Sequence, residues 1–253
     1  MTDAVRYDLA GGVATLTLDQ PDNRNALTPA LIDGLGDCLQ EALRDGDARV
    51  IVITNTGPAF CAGADLKGGG LAPARHDLPS ILTAMQDSPK PVVGRIAGHC
   101  MGGGVGLAAC CDLSIAAPDV MFGFTEVRIG AAPAIISVVC LPKMRRGDAL
   151  DLFLTGERIS AGRAAEVGLI TAVAGSEGLD AATSAMVSKL LSGGPNALAA
   201  AKRLVFDVPR LERAEAFART AEISRDLFAS PEAAEGMAAF REKRSPSWIP
   251  AEG

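Results

Sequence analysis

The stretches FCAGADL, at residues 60–66, and GHCMGGGVGLAACCD, at residues 98–112, place glycines directly after apolar, strand-like runs. Glycine at such a position lets the backbone bend tightly or approach a ligand closely. Each stretch can therefore direct a peptide N–H group towards one common point. Two N–H groups that meet at a single oxygen atom stabilise the negative charge of an oxyanion. Together the two stretches predict a site that polarises a carbonyl group.

A third stretch, FGFTEVRIG at residues 122–130, contributes one carboxylate, Glu126, in an otherwise apolar and small-residue setting. One interpretation is a solvated acid in the first turn of a helix capped by Thr125, where it interacts favourably with the helix dipole. The other interpretation is a proton carrier. Burial beside an apolar substrate would raise the pKa of Glu126 and suit it to proton transfer near neutral pH.

The composition of the chain limits the classes of protein to which it can belong. The chain has 253 residues, of which 48% are hydrophobic and only 4% aromatic, so one large domain, or a core with a small appendage, is built on an aliphatic core. A formal net charge of −6 without a basic block argues against nucleic acid or an anionic membrane as the main partner. The six cysteines lack CxxC or metal-ligand spacing, and the N-terminus lacks the apolar run of a signal peptide. We therefore expect reduced thiols, a cytoplasmic location and no metal site.

Periodicity predicts an α/β domain followed by helices. Gly11-Gly12 joins two alternating segments as a hairpin, and Thr28-Pro29 caps a helix. Further strands are predicted at residues 50–54, 91–97 and 113–116, and further helices at residues 81–86 and 103–111. After residue 141 the pattern is mostly helical, with one strand-like segment at residues 169–173. The predicted helix at residues 211–227 has one apolar face, suited to packing on its own core or on another subunit.

Three motifs keep alternative interpretations. Residues 61–65 also fit a simple strand-to-helix turn in which small residues are chosen for packing. The glycines at 102–104 suggest a dinucleotide-binding turn, but GxGxxG counted from Gly102 requires glycine where the chain has Leu107. Arg24 is by default a surface residue, and the sharper alternative is a phosphate contact, because the guanidinium group binds phosphate oxygens in pairs.

Taken together, the motifs resemble those of the enoyl-CoA hydratase/isomerase (crotonase) superfamily. Six segments follow in that family's order: NRNAL at 23–27, FCAGADL, KPVVGRIAGHCMGGG at 90–104, FGFTEVRIG, LTGERISAGRAAEVGLI at 154–170 and EGMAAFREKRSP at 235–246. The resemblance implies an α/β fold with a crotonase-like spiral of repeated ββα units at residues 1–195. It also implies a C-terminal helical trimerisation region at residues 196–253, and trimers that often pair into hexamers.

The resemblance also implies the ligand and its contacts. The ligand would be an acyl-CoA thioester, with no cofactor beyond the CoA that belongs to the substrate. By position in the motifs, the oxyanion N–H groups belong to Ala64 and Gly103, and the acid/base group is Glu126. The residues that resemble CoA contacts are Arg24, Ala26, Ala62, Ala64, Asp65 and Leu66, together with Phe240 and Lys243, which would reach the CoA of a neighbouring subunit.

One position departs from the two-glutamate hydratases of the superfamily, which carry an acid three residues after the oxyanion glycine; here that residue is Gly106. A lone acid at the place of Glu126 also occurs in the isomerases. However, residues 102–112 and 125–137 are similar to a bacterial subgroup, including methylglutaconyl-CoA hydratases, in which glycine replaces the first acid.

The expected activity is hydration of a 2-enoyl-CoA to a 3-hydroxyacyl-CoA, in fatty acid, branched-chain or related acyl-CoA catabolism. The alternatives are isomerisation, with Glu126 moving a proton between Cα and Cγ, and acyl-CoA binding without catalysis.

Overall fold

The computed structural model describes residues 4–66, 68, 73–175 and 177–249. Within them the strands are β1 (Val5–Ala10), β2 (Val13–Leu18), β3 (Val50–Asn55), β4 (Ala59–Cys61), β5 (Val92–Ile96), β6 (His99–Met101), β7 (Leu113–Ala116), β8 (Met121–Gly123), β9 (Arg158–Ser160) and β10 (Ala172–Val173). The α-helices are α1 (Pro29–Arg44), α2 (Leu78–Asp87), α3 (Gly103–Cys110), α4 (Ala134–Cys140), α5 (Arg146–Thr155), α6 (Ala161–Glu166), α7 (Gly178–Ser192), α8 (Pro195–Asp207), α9 (Arg213–Phe228) and α10 (Pro231–Glu242).

Strands and helices follow one another as repeated ββα units. A strand of a six-stranded sheet, β1-β2-β3-β5-β7-β10, is followed by a short strand of a four-stranded sheet, β4-β6-β8-β9, and then by a helix. This order holds for β3-β4-α2, for β5-β6-α3 and for β7-β8-α4. From β2 to β10 the larger sheet is parallel, so each unit returns the chain to the same end of the sheet.

The smaller sheet determines where the predicted site forms. Its strands β4, β6 and β8 run parallel, so their carboxyl ends share one edge. The turn with Gly63 follows β4, the turn with Gly102 follows β6, and the turn with Glu126 follows β8. All three predicted chemical segments therefore leave the same edge of one sheet.

The predicted hairpin and first helix are confirmed. Strands β1 and β2 pair antiparallel around Gly11 and Gly12, both of which have positive φ. Thr28 caps α1 by accepting the Leu31 N–H at 3.2 Å, and Pro29 is the first helical residue.

The strand predicted at residues 169–173 is wrong over most of its length, because only Ala172 and Val173 are extended. Gly168, with φ +86°, closes the end of α6, and the Leu169 N–H donates to the Ala164 carbonyl at 2.9 Å. Leu169 and Ile170 are buried in the core. Their apolar character therefore serves to seal a helix end, and not to form a strand.

Two groups of polar contacts help to attach the C-terminal helices to the core. In the first group, Arg49 donates to the carbonyls of Leu191 (3.3 Å), Gly193 (2.7 Å) and Trp248. The indole N–H of Trp248 in turn donates to the Ser192 carbonyl at 3.1 Å. This arrangement links the start of β3 to the end of α7 and to the segment after α10.

In the second group, the Lys202 ammonium on α8 lies 2.8 Å from the Asp112 carboxylate, with side chains only 7% and 16% exposed. Lys202 also donates to the Met85 carbonyl, and Asp112 accepts the Val92 N–H, each at 2.7 Å. Burial raises the pKa of the Asp112 carboxyl, and the Lys202 ammonium opposes that rise. The pair thus stabilises α8 against the core only while both partners are present.

We expect Lys202→Met to lower the free energy of unfolding by about 3–5 kcal/mol, because it leaves the Asp112 carboxylate buried without its cation. The double variant Asp112→Asn/Lys202→Met should recover much of that loss. The matched control on the same helix is Arg203→Met, whose ion pair with Asp87 is 51% and 63% exposed, and we expect it to cost at most about 1 kcal/mol. Urea unfolding measures all three; equal losses for Lys202→Met and Arg203→Met would contradict the prediction.

Helix α9 leaves apolar side chains uncovered in the single chain. Helix α9 has no buried residue among those described, and Phe217 and Phe228 are each 71% exposed. The apolar face predicted for this helix therefore does not pack on its own core.

Among the described helices, none has the length and hydrophobicity needed to span a lipid bilayer.

Candidate active site

The two glycine turns are in direct contact. Gly63 has φ +83°, and a methyl carbon added there would lie 3.2 Å from the Gly103 nitrogen and 2.8 Å from the Met101 oxygen. A methyl carbon on Gly103 would lie 2.5 Å from Cδ1 of Leu27. Gly63 is therefore restricted to glycine by its positive φ and by close backbone packing, whereas Gly103 is packed against the Leu27 side chain. The contact between the two turns makes the peptide units of Ala64 and Gly103 neighbours.

Within the described part of the chain, neither the Ala64 N–H nor the Gly103 N–H donates a hydrogen bond to the protein. Gly103 is the first residue of α3, so its N–H has no acceptor within the helix and lies at the positive end of the helix dipole. Free donors beside each other at a helix start form a site suited to an oxyanion.

Glu126 lies against this turn. A methyl carbon on Gly102, which has φ +51°, would be 3.1 Å from Oε1 of Glu126. The Oε2 atom is buried and has no hydrogen-bond partner among the described residues. Burial raises the pKa of this carboxyl, although its own backbone N–H opposes the rise. The residue stands in a 3₁₀ turn, Thr125–Ile129, that has no side-chain cap, so the interpretation as a solvated acid capped by Thr125 is wrong.

Gly106 has no room for a side chain. A methyl carbon there would overlap the Cγ2 methyl of Ile136, which is 3% exposed and belongs to α4. The place at which two-glutamate hydratases carry a further acid is therefore filled by an aliphatic side chain from another helix. Among the described residues, Glu126 is the carboxyl that lies against Gly102.

The segment that contains Arg24 packs beside the first glycine turn. The Arg24 carbonyl accepts the Ala62 N–H at 3.1 Å, and the Leu27 N–H donates to the Gly63 carbonyl at 2.8 Å. The Arg24 side chain is exposed, whereas Ala26 is buried. Since Ala62 lies in this same turn, followed by the half-buried Asp65 and the exposed Leu66, the structure brings together the predicted CoA contacts of the N-terminal half.

Asn25 is a supporting residue that the sequence analysis does not identify. Its side chain is fully buried, donates to the carbonyls of Ala59 (2.8 Å) and Thr56 (3.1 Å), and accepts the Gln20 N–H at 2.7 Å. Its φ of +51° is one that asparagine tolerates better than most residues. The signal that could have indicated this role is the residue type itself, because asparagine in a loop is common where the backbone has positive φ. Asn25 thereby holds the Arg24 turn against β4.

Phe240 and Lys243 lie on the last helix and not among these contacts. Phe240 is 85% exposed, and Lys243 ends α10 with φ +54°. Their contact with the CoA of a neighbouring subunit stays a prediction.

The comparisons with known proteins agree with this fold. Residues 8–250 match the family described as enoyl-CoA hydratase/isomerase. A Mycobacterium tuberculosis protein named "Probable enoyl-CoA hydratase" is 36% identical over 241 residues, which cover 94% of this chain and 96% of that protein. Crystal structures of enoyl-CoA hydratases from Mycobacterium smegmatis and Shewanella pealeana align with TM-scores of 0.89 and 0.88 at 32% and 30% identity. The alignments cover 96% of this chain in both cases, and 98% and 95% of those chains.

A spiral of ββα units that presents two free N–H groups beside one half-buried carboxyl defines a protein of the crotonase type. The chain belongs to the enoyl-CoA hydratase/isomerase family. The α/β fold predicted from the sequence, with its helical C-terminal region, is confirmed.

Proposed function

We propose that the protein adds water across the 2,3 double bond of a 2-enoyl-CoA to give a 3-hydroxyacyl-CoA. The observation that carries this proposal is the position of Glu126, whose Oε1 lies against Gly102 and whose buried Oε2 has no partner in the described chain. A carboxyl in this position can exchange a proton with a substrate held by the neighbouring N–H groups. The family's name and those of the relatives support the same reaction.

The reaction needs three groups of the chain: two peptide N–H donors and one carboxylate. The Ala64 and Gly103 N–H groups would donate to the thioester oxygen and stabilise the enolate charge that develops there. As water adds at Cβ, the Glu126 carboxylate takes one proton from it, and the hydroxyl oxygen forms the new bond to carbon. Glu126 then delivers that proton to Cα, so the carboxylate is regenerated and the elements of one water are added. No cofactor is required beyond the CoA of the substrate.

The CoA part would bind along the Arg24 turn. We assign its contacts to Arg24, Ala26, Ala62, Ala64, Asp65 and Leu66, and those from a neighbouring subunit to Phe240 and Lys243. The exposed Arg24 guanidinium is suited to a phosphate of CoA. The hydrogen bond from Ala62 to the Arg24 carbonyl supports this assignment, because it ties the CoA contacts to the turn that holds the oxyanion donors.

For the assembly we propose a homotrimer or hexamer in the cytoplasm, with residues 196–253 as the trimerisation region after a spiral core of residues 1–195. The uncovered apolar side chains of α9 support this proposal, since another subunit can bury them. We propose neither nucleic acid nor a membrane as a partner, because the net charge is −6.

A second function has one observation in its favour. Ile136 fills the place of the second acid beside Gly106, so that place holds no polar group that could position the attacking water. Proton transfer between Cα and Cγ needs no water, which favours an enoyl-CoA isomerase. An acyl-CoA-binding protein without catalysis is the third candidate.

One assay separates the three. We expect crotonyl-CoA, a 2-enoyl thioester, to lose the absorbance of its conjugated thioester when the purified protein is added. A gain of conjugation from a 3-enoyl-CoA, without loss from crotonyl-CoA, would instead establish isomerisation. No change with either substrate, combined with calorimetric binding of butyryl-CoA, would leave only the binding function.

A further inference from the structure

We propose that Ile136 sets the acyl-chain length by closing the catalytic site off from a large apolar cavity behind it, so that the protein selects short acyl chains. This inference rests on the proposed function and assigns the substrate class of the same site. It depends on the order in which three features follow one another along α3.

The first two features are the contacts of glycines one helical turn apart. Gly102, which caps α3, faces the Glu126 carboxyl, and Gly106 faces the Cγ2 methyl of Ile136. Residues four apart lie on the same face of a helix, about 6 Å from each other along its axis. A chain whose thioester is held at Gly103, and whose double bond lies beside Glu126, would therefore meet Ile136 next.

The third feature is a cavity of about 620 Å³ at the C-terminal end of α3. Ala109 and Cys110 of α3 line it, as does Val139, which is three residues after Ile136 on α4. The opposite wall comes from α8, including Leu198 and Val205. This space is mostly apolar and partly open to solvent, since Val205 is 71% exposed. Its lining residues Ala109 and Val139 are each three residues beyond Gly106 and Ile136, which places it next to their contact.

The side chain of Ile136 is thus the barrier between the reacting atoms and the cavity. Gly106 contributes no side chain, so removal of the Ile136 methyl groups would leave an opening between the backbones of α3 and α4. The Cγ2 methyl of Ile136, which is 3% exposed, occupies the space beside Gly106, so this contact leaves no room for a further group. A short acyl group fits in front of it, whereas a long one requires the space behind it.

The test compares 2-decenoyl-CoA with crotonyl-CoA through the ratio of their kcat/KM values. We expect the unaltered protein to favour crotonyl-CoA. Ile136→Ala should raise the ratio in favour of the long substrate by about tenfold or more, since a few methylene groups in an apolar pocket are worth at least that factor. Ile136→Val, which removes less volume and is the safer variant for folding, should give an intermediate ratio.

Two further variants test whether the change in the kcat/KM ratio depends on Ile136 and on the cavity. Ile135→Ala, on the same helix and only partly buried, is the matched control and should leave the ratio unchanged. Adding Val139→Phe to Ile136→Ala narrows the cavity and should reverse the gain. An unchanged ratio in folded Ile136→Ala, or a preference of the unaltered protein for 2-decenoyl-CoA, would overturn the inference, as would a gain that Val139→Phe leaves intact.

Failure of the proposed function is recognised separately. If the unaltered protein turns over neither 2-enoyl-CoA, the hydratase proposal fails, and calorimetric binding of butyryl-CoA and decanoyl-CoA gives the same comparison between variants. A merely structural role for Ile136 would weaken both ligands by one factor and would also overturn the inference.

Discussion

Glu126→Gln is expected to lower kcat for hydration of crotonyl-CoA by about 10²–10⁴-fold, the usual contribution of a positioned acid/base group. Glutamine has nearly the same shape, so it keeps the contact with Gly102 but cannot take or deliver the proton. Thioester binding should change little, because the peptide donors of Ala64 and Gly103 remain. Steady-state kinetics with crotonyl-CoA measure the loss, and full activity of the variant would exclude Glu126 as the acid/base group.

The pH dependence gives an independent check of the same residue. Burial raises the pKa of Glu126, and hydration starts from the carboxylate, so activity should fall with decreasing pH already above the range of an ordinary glutamate. A group whose pKa is higher in the folded than in the unfolded state stabilises the fold at low pH, and this stabilisation is lost as pH rises through the folded pKa. Glu126→Gln should therefore be at least as stable as the unaltered protein near neutral pH, which separates loss of chemistry from unfolding.

Gly63→Ala is expected to lower kcat/KM by about a hundredfold, although residue 63 has no chemical role of its own. Its added methyl carbon would lie 2.8 Å from the Met101 oxygen and 3.2 Å from the Gly103 nitrogen. The two turns must then separate, and displacements of about 1 Å in an active site cost rate of this order. The loss should be mainly in kcat, because the oxyanion donors act most strongly in the transition state.

Gly11→Ala is the matched control for that variant. Gly11 also has positive φ, +56°, but a methyl carbon there would meet no atom within 4 Å. It therefore carries the backbone strain of alanine in the left-handed region without any contact with the site. Equal activity losses in both variants, or none in Gly63→Ala despite correct folding, would contradict the proposed contact between the two turns.

The sequence predicted the larger elements because their signals are long. Alternation over β1 and β2, and the cap at Thr28, are local patterns that tertiary packing only reinforces. The strands β4, β6 and β8 are three residues each, too short for a period to be recognised. Their pairing nevertheless forms the edge that unites the site, so the sheet that matters most for function could not be derived from periodicity.

The candidate site also contains residues that could be predicted from the sequence and one that could not. Glu126 was conspicuous as an isolated acid in an aliphatic sequence, whereas Ala64 and Gly103 were indicated by the resemblance of their motifs to the crotonase superfamily. The missing acid at Gly106 was also visible, but not that Ile136, thirty residues later, occupies the space. This packing of a side chain from α4 against a glycine of α3 depends on the tertiary structure, so the sequence pattern alone does not predict it.

The position of Trp248 has a practical consequence. It is the single tryptophan of the chain, and its ring lies against Gly236 while its N–H is bonded to the Ser192 carbonyl. Its fluorescence therefore reports from one location, where the last segment meets the end of α7. Detachment of that segment would expose the indole to water and shift its emission to longer wavelength, which offers an optical signal for the C-terminal region that needs no label.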